Sequence, residues 1–473
     1  MGSKTWSARV CFIKMLESKY STKEIFEELP IGKSLTELAL PAIAGQLVTL
    51  IYNIADTFFI GRVNNPLMIT ATSLTFPIFA MTAPVAIVSG TGGGSLVSRL
   101  MGIYREDEAK KVASLSVYIS FIMGFVYSLL CLVFMNPLLK FLGTSEEAYL
   151  FTRQYMMCVV VLGGIPTVLT STMSNLLRSV GHSKEAGFGI SMGGIINIIL
   201  DPILMFVVLP DGLEVVGAGV ATMFSNFVVV VYFIITYCKL KDSTPLGFSL
   251  KKGLPDKRNI LTIFAVGIPS AATTLLFDIN NMLLNKLMAP YGDKAVAAIG
   301  MTIKIERFSL NTCVGLCMGM TPLVAYNFSA RRYDRMLDYV KTTRRRGIII
   351  SLVSIALYEA FAPGLTRFFI NDPETVMLGA AFLRRRAVAS VFMFLNFYMV
   401  HFFQGIGSGK HTFWLSVVRY VGLCIPALYI LNYFLGANGL AWAQAAGDFV
   451  NAIITAIVFS VYVKKNISPK GVA

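Results

Sequence analysis

Charged residues are scarce in this chain. Asp, Glu, Lys and Arg together make up 14% of its 473 residues, whereas a soluble domain carries about 25%. Long stretches contain no charge at all, at 63–98, 112–139, 154–177, 215–238 and 420–447. Each exceeds the roughly 20 residues that cross a bilayer as an α-helix. The composition therefore excludes a soluble protein and indicates one that spans a membrane.

Several chemical motifs are missing as well. The seven cysteines lie mostly inside apolar runs and show neither a disulfide framework nor a zinc-binding spacing, and the three histidines are scattered. No GxxxxGK[ST] sequence occurs, so ATP is not expected as a direct energy source. No paired nucleophile and base is evident, and the first thirty residues lack the pattern of a signal peptide. We therefore expect neither an enzyme nor a bound cofactor.

The apolar runs predict an all-α membrane protein. Backbone groups in lipid must be hydrogen-bonded within the protein, and the alternating pattern of a β-barrel is absent from the sequence. The hydrophobic runs and the turn residues between them predict twelve transmembrane helices, at 35–60, 69–97, 112–138, 149–176, 186–209, 215–237, 259–288, 295–326, 347–370, 387–404, 413–435 and 439–463.

The basic residues predict the orientation. Most of the 41 lysines and arginines lie in the two tails and in the loops after helices 2, 4, 6, 8 and 10. The positive-inside rule makes that side cytoplasmic, together with both termini. The net charge of +15 is therefore a topology signal, and we expect no nucleic-acid binding. One cluster does not fit, because the predicted start of helix 10 leaves Arg384, Arg385 and Arg386 at an external helix start.

The chain resembles itself at an offset of about 227 residues. ALPA at 39–42 recurs as GIPS at 267–270, and GVA at 219–221 recurs as GLA at 439–441. Two parallel six-helix copies predict pseudo-symmetric bundles around a central cavity, which is a transporter architecture. The predicted parts are a tail, 1–33, a bundle, 34–238, a linker, 239–258, a second bundle, 259–465, and a tail, 466–473. Residues 6–29 of the first tail could form an amphipathic surface helix.

A set of motifs occurs in a fixed order along about residues 33–465. They are LP at 40–41, DTFFIGR at 56–62, the glycine-rich end of helix 2, LRSVG at 177–181, NIILDP at 197–202 and GAGVAT at 217–222. In this order they resemble the multidrug and toxic compound extrusion (MATE) family. The resemblance implies cation-coupled efflux of amphipathic organic compounds by a V-shaped pair of bundles. Sister families in the same flippase superfamily move lipid-linked sugars.

One carboxylate stands inside an apolar run of helix 5. Placing Asp201 at a helix centre costs on the order of 3 kcal/mol, and such residues usually face a bundle interior. Asn197 lies four residues earlier on the same helix face, and Pro202 kinks the helix. Asp56 lies deep in helix 1, and Thr222 is near the start of helix 6. The resemblance implies a cation site in the N-terminal bundle formed by Asp56, Asn197, Asp201 and Thr222.

The chemistry of this set agrees with a coupling ion. Two carboxylates close together in a low dielectric cannot both ionise cheaply, so one should take up a proton near neutral pH. The same oxygens, with an amide and a hydroxyl, also suit a hard cation such as Na⁺. The set therefore predicts H⁺ or Na⁺ coupling. The alternative is that Asp201 or Asp56 merely hydrogen-bonds a neighbouring helix.

The C-terminal half carries a different set of charges. Asp278 in helix 7 occupies a position that resembles the acidic site of a related MATE branch. It could pair with Lys304 or Arg307 of helix 8 and fix the bundle geometry, or it could act in coupling or substrate binding. Glu306 could face the cavity and attract cationic drugs. Asp448 is interpreted as peripheral, with a packing or helix-end role.

These features predict a secondary active multidrug efflux transporter. It would exchange amphipathic, mostly cationic organic compounds for H⁺ or Na⁺ by alternating access. The alternative is a lipid-linked oligosaccharide flippase, which needs a strongly cationic cavity; Lys304 and Arg307 favour it, and the acidic set argues against it. We expect a monomer that contacts membrane lipid and small organic substrates, in the plasma membrane of a prokaryote (the cell inner membrane), with both termini cytoplasmic.

Overall fold

The computed structural model describes residues 20–249 and 253–467, and this part of the chain is almost wholly helical, without a strand. Residues 1–19 lie outside it, with most of the predicted tail and of the surface helix at 6–29. Residues 250–252 of the predicted linker and 468–473 of the C-terminal tail lie outside it too.

Most of the helices that correspond to the predicted spans are continuous. Helices 1, 3, 6, 7, 8 and 9 are Ile31–Arg62, Glu106–Val133, Glu214–Leu240, Lys257–Met288, Asp293–Ser329 and Tyr333–Arg367. Helix 5 is Ser183–Ile203, continued by the π-helical turn Leu204–Val208. Three short helical segments adjoin these long helices: the π-helix Glu24–Glu28, the α-helix Met135–Phe141 and the 3-10 helix Ala289–Tyr291.

The remaining spans are interrupted. Helix 2 consists of Pro66–Ala80 and Thr82–Gly102, helix 4 of Glu146–Met156, Met157–Leu162 and Gly164–Ser179, and helix 10 of Pro373–Ala387 and Ala389–Gly405. Helices 11 and 12 form one run: Gly409–Val417, Val418–Cys424 and Ile425–Asn466. Gly436 divides this run, because its φ of 58° and ψ of −141° are not helical. Glycine adopts such a conformation without a Cβ penalty.

The predicted twelve-helix membrane fold is confirmed. Within the described residues, nine helices are long and apolar enough to cross a membrane, and two bent pairs, in helices 4 and 10, count as further spans. One of the nine is the run Gly409–Asn466, which Gly436 divides into two. Together these account for twelve spans.

Helix 10 begins well before its predicted start at residue 387. Asp372 caps it by accepting a hydrogen bond from the Thr375 backbone N–H at 3.0 Å, and Pro373 occupies the first turn, where its missing N–H costs nothing. The helix bends by 47° near Val388. The predicted external helix start at Arg384–Arg386 is therefore wrong, because these residues lie inside the span.

The two six-helix halves meet at one end of the molecule. We call it the terminal end, because helix 1 begins there. Helix 7 packs against helix 2, and helix 8 against helix 1. A Cβ added at Gly267 would lie 1.9 Å from the Val88 carbonyl oxygen, and one at Gly319 would lie 2.6 Å from the Ala39 Cα. The backbones of the two halves therefore touch, and the terminal end is closed.

Residues 20–30, the N-terminal strap, cross this closed end. Phe26 is fully buried and stacks on Tyr326 of helix 8, with ring centroids 4.8 Å apart. The Glu27 carboxylate accepts hydrogen bonds from Tyr104 of the first half at 2.9 Å, and from Tyr326 and Arg332 of the second half at 2.5 and 3.2 Å. The strap therefore ties both halves together, and the short π-helix Glu24–Glu28 within it packs its apolar residues Ile25 and Phe26 against the protein.

The environment of Glu27 favours its charged form. Burial raises the pKa of this carboxyl, but the hydrogen bonds from Tyr326 and Tyr104 and the positive charge of Arg332 more than offset that effect. The pKa of Glu27 is therefore lower than its ordinary value, and the carboxylate is ionised at neutral pH. The ionised form is the one that accepts all three hydrogen bonds at the closed end.

Replacing Gly267 by valine should open the terminal end. The new side chain cannot fit against the Val88 carbonyl, and overpacking costs about 1–3 kcal/mol, enough to shift a two-state population on the order of tenfold. Spin labels at the exposed positions Glu106 and Asp334, on a background without reactive cysteines, would report the distance between the halves.

The matched control is Gly300→Val, because nothing lies within 4 Å of a Cβ at that position. We expect Gly267→Val to move the main distance peak to longer values and Gly300→Val to leave it in place. Identical distance distributions for both variants and the wild type would contradict the contact between helices 2 and 7.

Candidate functional site

Close packing of helices 1 and 5 builds the candidate site. A Cβ at Gly187 would lie 2.4 Å from the Pro41 carbonyl oxygen, and one at Gly194 would lie 2.7 Å from the Val48 side chain. These two contacts fix the register of the two helices. Continued by two turns, the register brings Asp201 of helix 5 beside Asp56 of helix 1.

The structure brings the four predicted N-terminal residues together. The Asn197 Nδ2 donates to Asp201 Oδ1 and to Thr222 Oγ1, both at 3.3 Å. Asp201 is 0% exposed and Asn197 2% exposed, while Asp56 and Thr222 are half-buried. Asp56 lies within electrostatic range of Asp201. The cluster joins helices 1, 5 and 6.

Three oxygens of this cluster are buried without a hydrogen-bond donor. They are Asp56 Oδ1, Asn197 Oδ1 and Asp201 Oδ2. No lysine, arginine or histidine in the described part of the chain forms an ion pair with either aspartate. A buried acceptor without a donor costs about 1–3 kcal/mol, and more if it is charged. The site is therefore short of positive charge and of donors, and a proton or a small hard cation would supply both.

Helix 5 changes its winding next to the two acceptors. Pro202 lies inside the helix, and two residues later the α-helix gives way to the π-helical turn Leu204–Val208. A Cβ at Gly217 would lie 2.9 Å from the Leu204 carbonyl carbon, so helix 6 packs directly on this turn. π-Helical turns occur frequently at functional sites.

The predicted C-terminal residues do not form a hydrogen-bonded cluster like the one in the N-terminal half. They are Asp278, Lys304, Glu306 and Arg307. Asp278 is half-buried and forms no ion pair within 4.0 Å among the described residues. Arg307 lies within its electrostatic range, while Lys304 is exposed. The expected ion pair of Asp278 with Lys304 or Arg307 is therefore absent from this structure.

Glu306 has a partner that the sequence did not reveal. It is 4% exposed, and its Oε2 accepts hydrogen bonds from Arg386 Nε at 3.0 Å and Nη2 at 2.7 Å. The pair links helix 8 to helix 10. It accounts for one of the three arginines at 384–386, and Arg384 donates to the exposed Glu359 carbonyl at 3.3 Å. The charge that Glu306 was expected to offer to cationic drugs is thus balanced.

Asp448 is not peripheral, so that interpretation is wrong. It is 0% exposed, and its two carboxylate oxygens accept from Arg419 at 2.5 and 3.0 Å. Gln444 and Asn396 also donate to this carboxylate, at 2.6 and 3.1 Å. The sequence signal was present, because Asp448 lies four residues after Gln444 in an apolar run, as Asp201 lies four after Asn197.

The network around Asp448 continues through the second half. Asn280 of helix 7 donates to Gln444 at 3.1 Å, and Asn451 donates to Asn396 at 2.8 Å. The Arg419 guanidinium also lies 4.7 Å from the Phe397 ring centroid. These contacts tie helices 7, 10, 11 and 12 together. Among the described residues, the buried acids Glu306 and Asp448 of the C-terminal half each form an ion pair with an arginine, whereas Asp56 and Asp201 form none.

Removing Arg419 should destabilise the protein strongly. Arg419→Met leaves the Asp448 charge buried and unpaired, which costs about 3–5 kcal/mol. The double variant Arg419→Met/Asp448→Asn should recover part of that loss, because the two residues interact directly. Thermal unfolding in detergent would measure both.

The control is Arg384→Met, whose partner Glu359 is 47% exposed. We expect a change of about 1 kcal/mol or less there. Additive losses in the double variant would show that Arg419 and Asp448 do not stabilise each other.

Comparisons with known proteins give a consistent result. The MatE family model matches residues 41–203 and 269–430. The Multidrug export protein MepA of Staphylococcus haemolyticus is 30% identical over 441 residues, which cover 93% of this chain and 95% of that protein. The Multidrug export protein MepA of Staphylococcus aureus is 30% identical over 434 residues, covering 92% and 94%. The two matched stretches lie one in each half of the chain.

Solved structures share the fold. A MATE crystal structure in complex with MaL6 superposes with a TM-score of 0.89 at 23% identity, covering 95% of this chain and 99% of that chain. A MOP superfamily transporter from Pyrococcus furiosus gives 0.87 at 22% identity, with the same coverage. A mutant of the Vibrio cholerae MATE transporter VcmN gives 0.87 at 20% identity, covering 92% and 98%.

Proposed function

The chain belongs to the multidrug and toxic compound extrusion (MATE) family, and on that premise we propose that it is a secondary active exporter of amphipathic organic compounds. The compounds are mostly cationic, and they leave in exchange for H⁺ or Na⁺ by alternating access. The support for export is that relatives matched over nearly their whole length are named multidrug export proteins.

The observation that carries the coupling is the set of unpartnered oxygens in the N-terminal half. Two carboxylates, Asp56 and Asp201, share an apolar environment, and no basic side chain among the described residues pairs with them. Such a pair needs a cation from outside the protein, because two neighbouring negative charges in a low dielectric repel each other strongly. Asn197 and Thr222 add an amide and a hydroxyl oxygen, which are suitable ligands for a hard cation.

Cation entry would change how helices 1 and 5 pack. A proton or Na⁺ removes the repulsion between Asp56 and Asp201, so the two helices approach. Pro41 and Pro202 are the points where each helix bends most easily, because proline removes a backbone hydrogen bond. Gly187 packs directly on the Pro41 carbonyl, so movement at the cation site is transmitted toward the terminal end.

The distribution of basic residues indicates the orientation in the membrane, and the internal repeat indicates which helices move together. The terminal end faces the cytoplasm of a prokaryotic cell, since the basic loops lie there. The monomer is the working unit, with helices 1–6 and 7–12 as the two moving bundles. A lipid-linked oligosaccharide flippase is the second candidate: Lys304 and Arg307 favour it, and the unpaired acids Asp56 and Asp201 argue against it.

Neutralising either coupling aspartate should abolish exchange. In proteoliposomes with separate H⁺ and Na⁺ gradients, Asp56→Asn and Asp201→Asn should lower drug export driven by the cation gradient at least about tenfold, since a substitution that removes a charge-assisted interaction costs about 1.5–3 kcal/mol. Asp278→Asn should keep most of the activity, because it lies outside the cluster.

The matched control is Asp211→Asn, an exposed loop carboxylate without a structural contact in the site. Its flux should equal that of the wild type at the same reconstituted amount. The coupling assignment is overturned if Asp201→Asn retains wild-type exchange, or if Asp278→Asn alone abolishes it.

A further inference from the structure

A small cavity lies between the two halves near the closed terminal end. It is partly open and has a volume of about 70 Å³, whereas by the same measure one water molecule needs roughly 10–15 Å³. Both halves line it, with polar side chains that include Ser98, Asn175, Arg178, Thr321, His401 and Gln404. Helices 2 and 4 supply one wall, and helices 8 and 10 the other. The cavity shares no lining residue with the aspartate cluster of helices 1, 5 and 6.

Arg178 is buried in this wall without an acidic partner. It is 6% exposed, and its Nε has no hydrogen-bond acceptor. Its Nη1 donates only to the neutral Asn175 Oδ1, at a long 3.4 Å. A buried arginine is normally paired, because an unpaired charge is unfavourable in a low dielectric.

A second guanidinium lies next to the cavity. Arg99 of helix 2 donates from Nε to the Ser95 carbonyl, and its Nη2 is buried without an acceptor. A Cβ at Gly407 would lie 2.2 Å from Arg99 Nη1, so this side chain reaches across to the second half. Within the described residues, neither Arg99 nor Arg178 forms an ion pair.

Two buried donors at the cavity have no acceptor, Arg178 Nε and Arg99 Nη2. Both belong to guanidinium groups that keep their positive charge at neutral pH. No carboxylate is among the residues that line the cavity. Two unpaired positive charges with free donors beside a cavity of this size are what an anion-binding site requires.

We propose that this cavity binds a small inorganic anion, a halide or an oxyanion such as phosphate, between Arg178, Asn175 and the second half of the chain. The anion balances the buried guanidinium charge. Because its ligands come from both halves, the complete site exists only while the terminal end is closed. Anion binding therefore stabilises the closed terminal end, independently of which drug or coupling cation the protein uses.

The test is thermal unfolding of the purified full-length protein in detergent, titrated with sodium chloride or sodium phosphate against sodium gluconate at constant ionic strength. Gluconate is too large for the cavity and serves as the reference anion. We expect saturable stabilisation by chloride or by phosphate, and the better of the two identifies the class of anion. Equal unfolding temperatures in all three salts would overturn the proposal, leaving a cavity filled with water only.

Two variants separate the site from general salt effects. Arg178→Gln should weaken the apparent anion affinity at least about tenfold, because a charge-assisted hydrogen bond is lost. The matched control, Arg153→Gln, changes an exposed arginine at the other end of helix 4 and should keep the wild-type titration. Stabilisation that persists unchanged in Arg178→Gln would overturn the proposal.

A third variant tests whether an anion balances the Arg178 charge even if Arg178→Gln does not fold. Asn175→Asp places a carboxylate beside Arg178 and so builds the missing negative charge into the protein. We expect it to be as stable in gluconate as the wild type is in the stabilising anion, and insensitive to added chloride or phosphate. An Asn175→Asp variant that still responds to the anion as the wild type does would contradict the assignment.

The effect of the anion on closure of the terminal end is measured separately, as a distance between the two halves. With spin labels at Glu106 and Asp334, the stabilising anion should increase the short-distance population of the wild type relative to gluconate. The same anion should leave the distribution of Asn175→Asp unchanged. An anion that binds but leaves the wild-type distances unaltered would contradict the link to the closed end.

Discussion

Two neighbouring aspartates without a basic partner in the apolar interior of one helical half are the constraint on which the structure depends. The glycines at 187 and 194 allow helices 1 and 5 to pack closely. The register of this packing places Asp56 beside Asp201. The buried oxygens that remain without donors make the cluster incomplete by itself. In the second half, Glu306 and Asp448 are also buried, but each is paired with an arginine. The two halves therefore share a fold, but among the described residues only the first holds a neighbouring pair of acids without a basic partner.

Closure of the terminal end is a second constraint on the structure. Backbone contacts through Gly267 and Gly319 join the halves, and the N-terminal strap crosses the joint with the ionised Glu27 between Tyr104, Tyr326 and Arg332. Contacts of this kind form or break as a group, because packed interfaces switch between discrete states. A change in packing at Asp56 and Asp201 can therefore favour one state of the whole molecule through helix 1, which carries both the candidate cation site and part of the joint.

The sequence predicted what depends on composition and on single residues out of place. Twelve apolar runs gave twelve spans, and Asp201 stood out because it is alone in its run. Partners across helices were not predictable, because Arg419 and Asp448, or Glu306 and Arg386, meet only through the relative rotation of helices distant in sequence. The start of helix 10 was missed because three consecutive arginines look like a loop until their partners are known. The strap was missed because its contacts with Tyr104 and Tyr326 are long-range.

We propose that Asp56 and Asp201 bind the coupling cation as one unit, and that drug binding displaces it. The number of protons or Na⁺ ions released when a drug binds to the purified protein in weakly buffered solution tests this. We expect about one cation released per drug in the wild type, in line with linkage between the two ligands, and none in Asp201→Asn at saturating drug. Equal cation release from the wild type and from Asp201→Asn would contradict it.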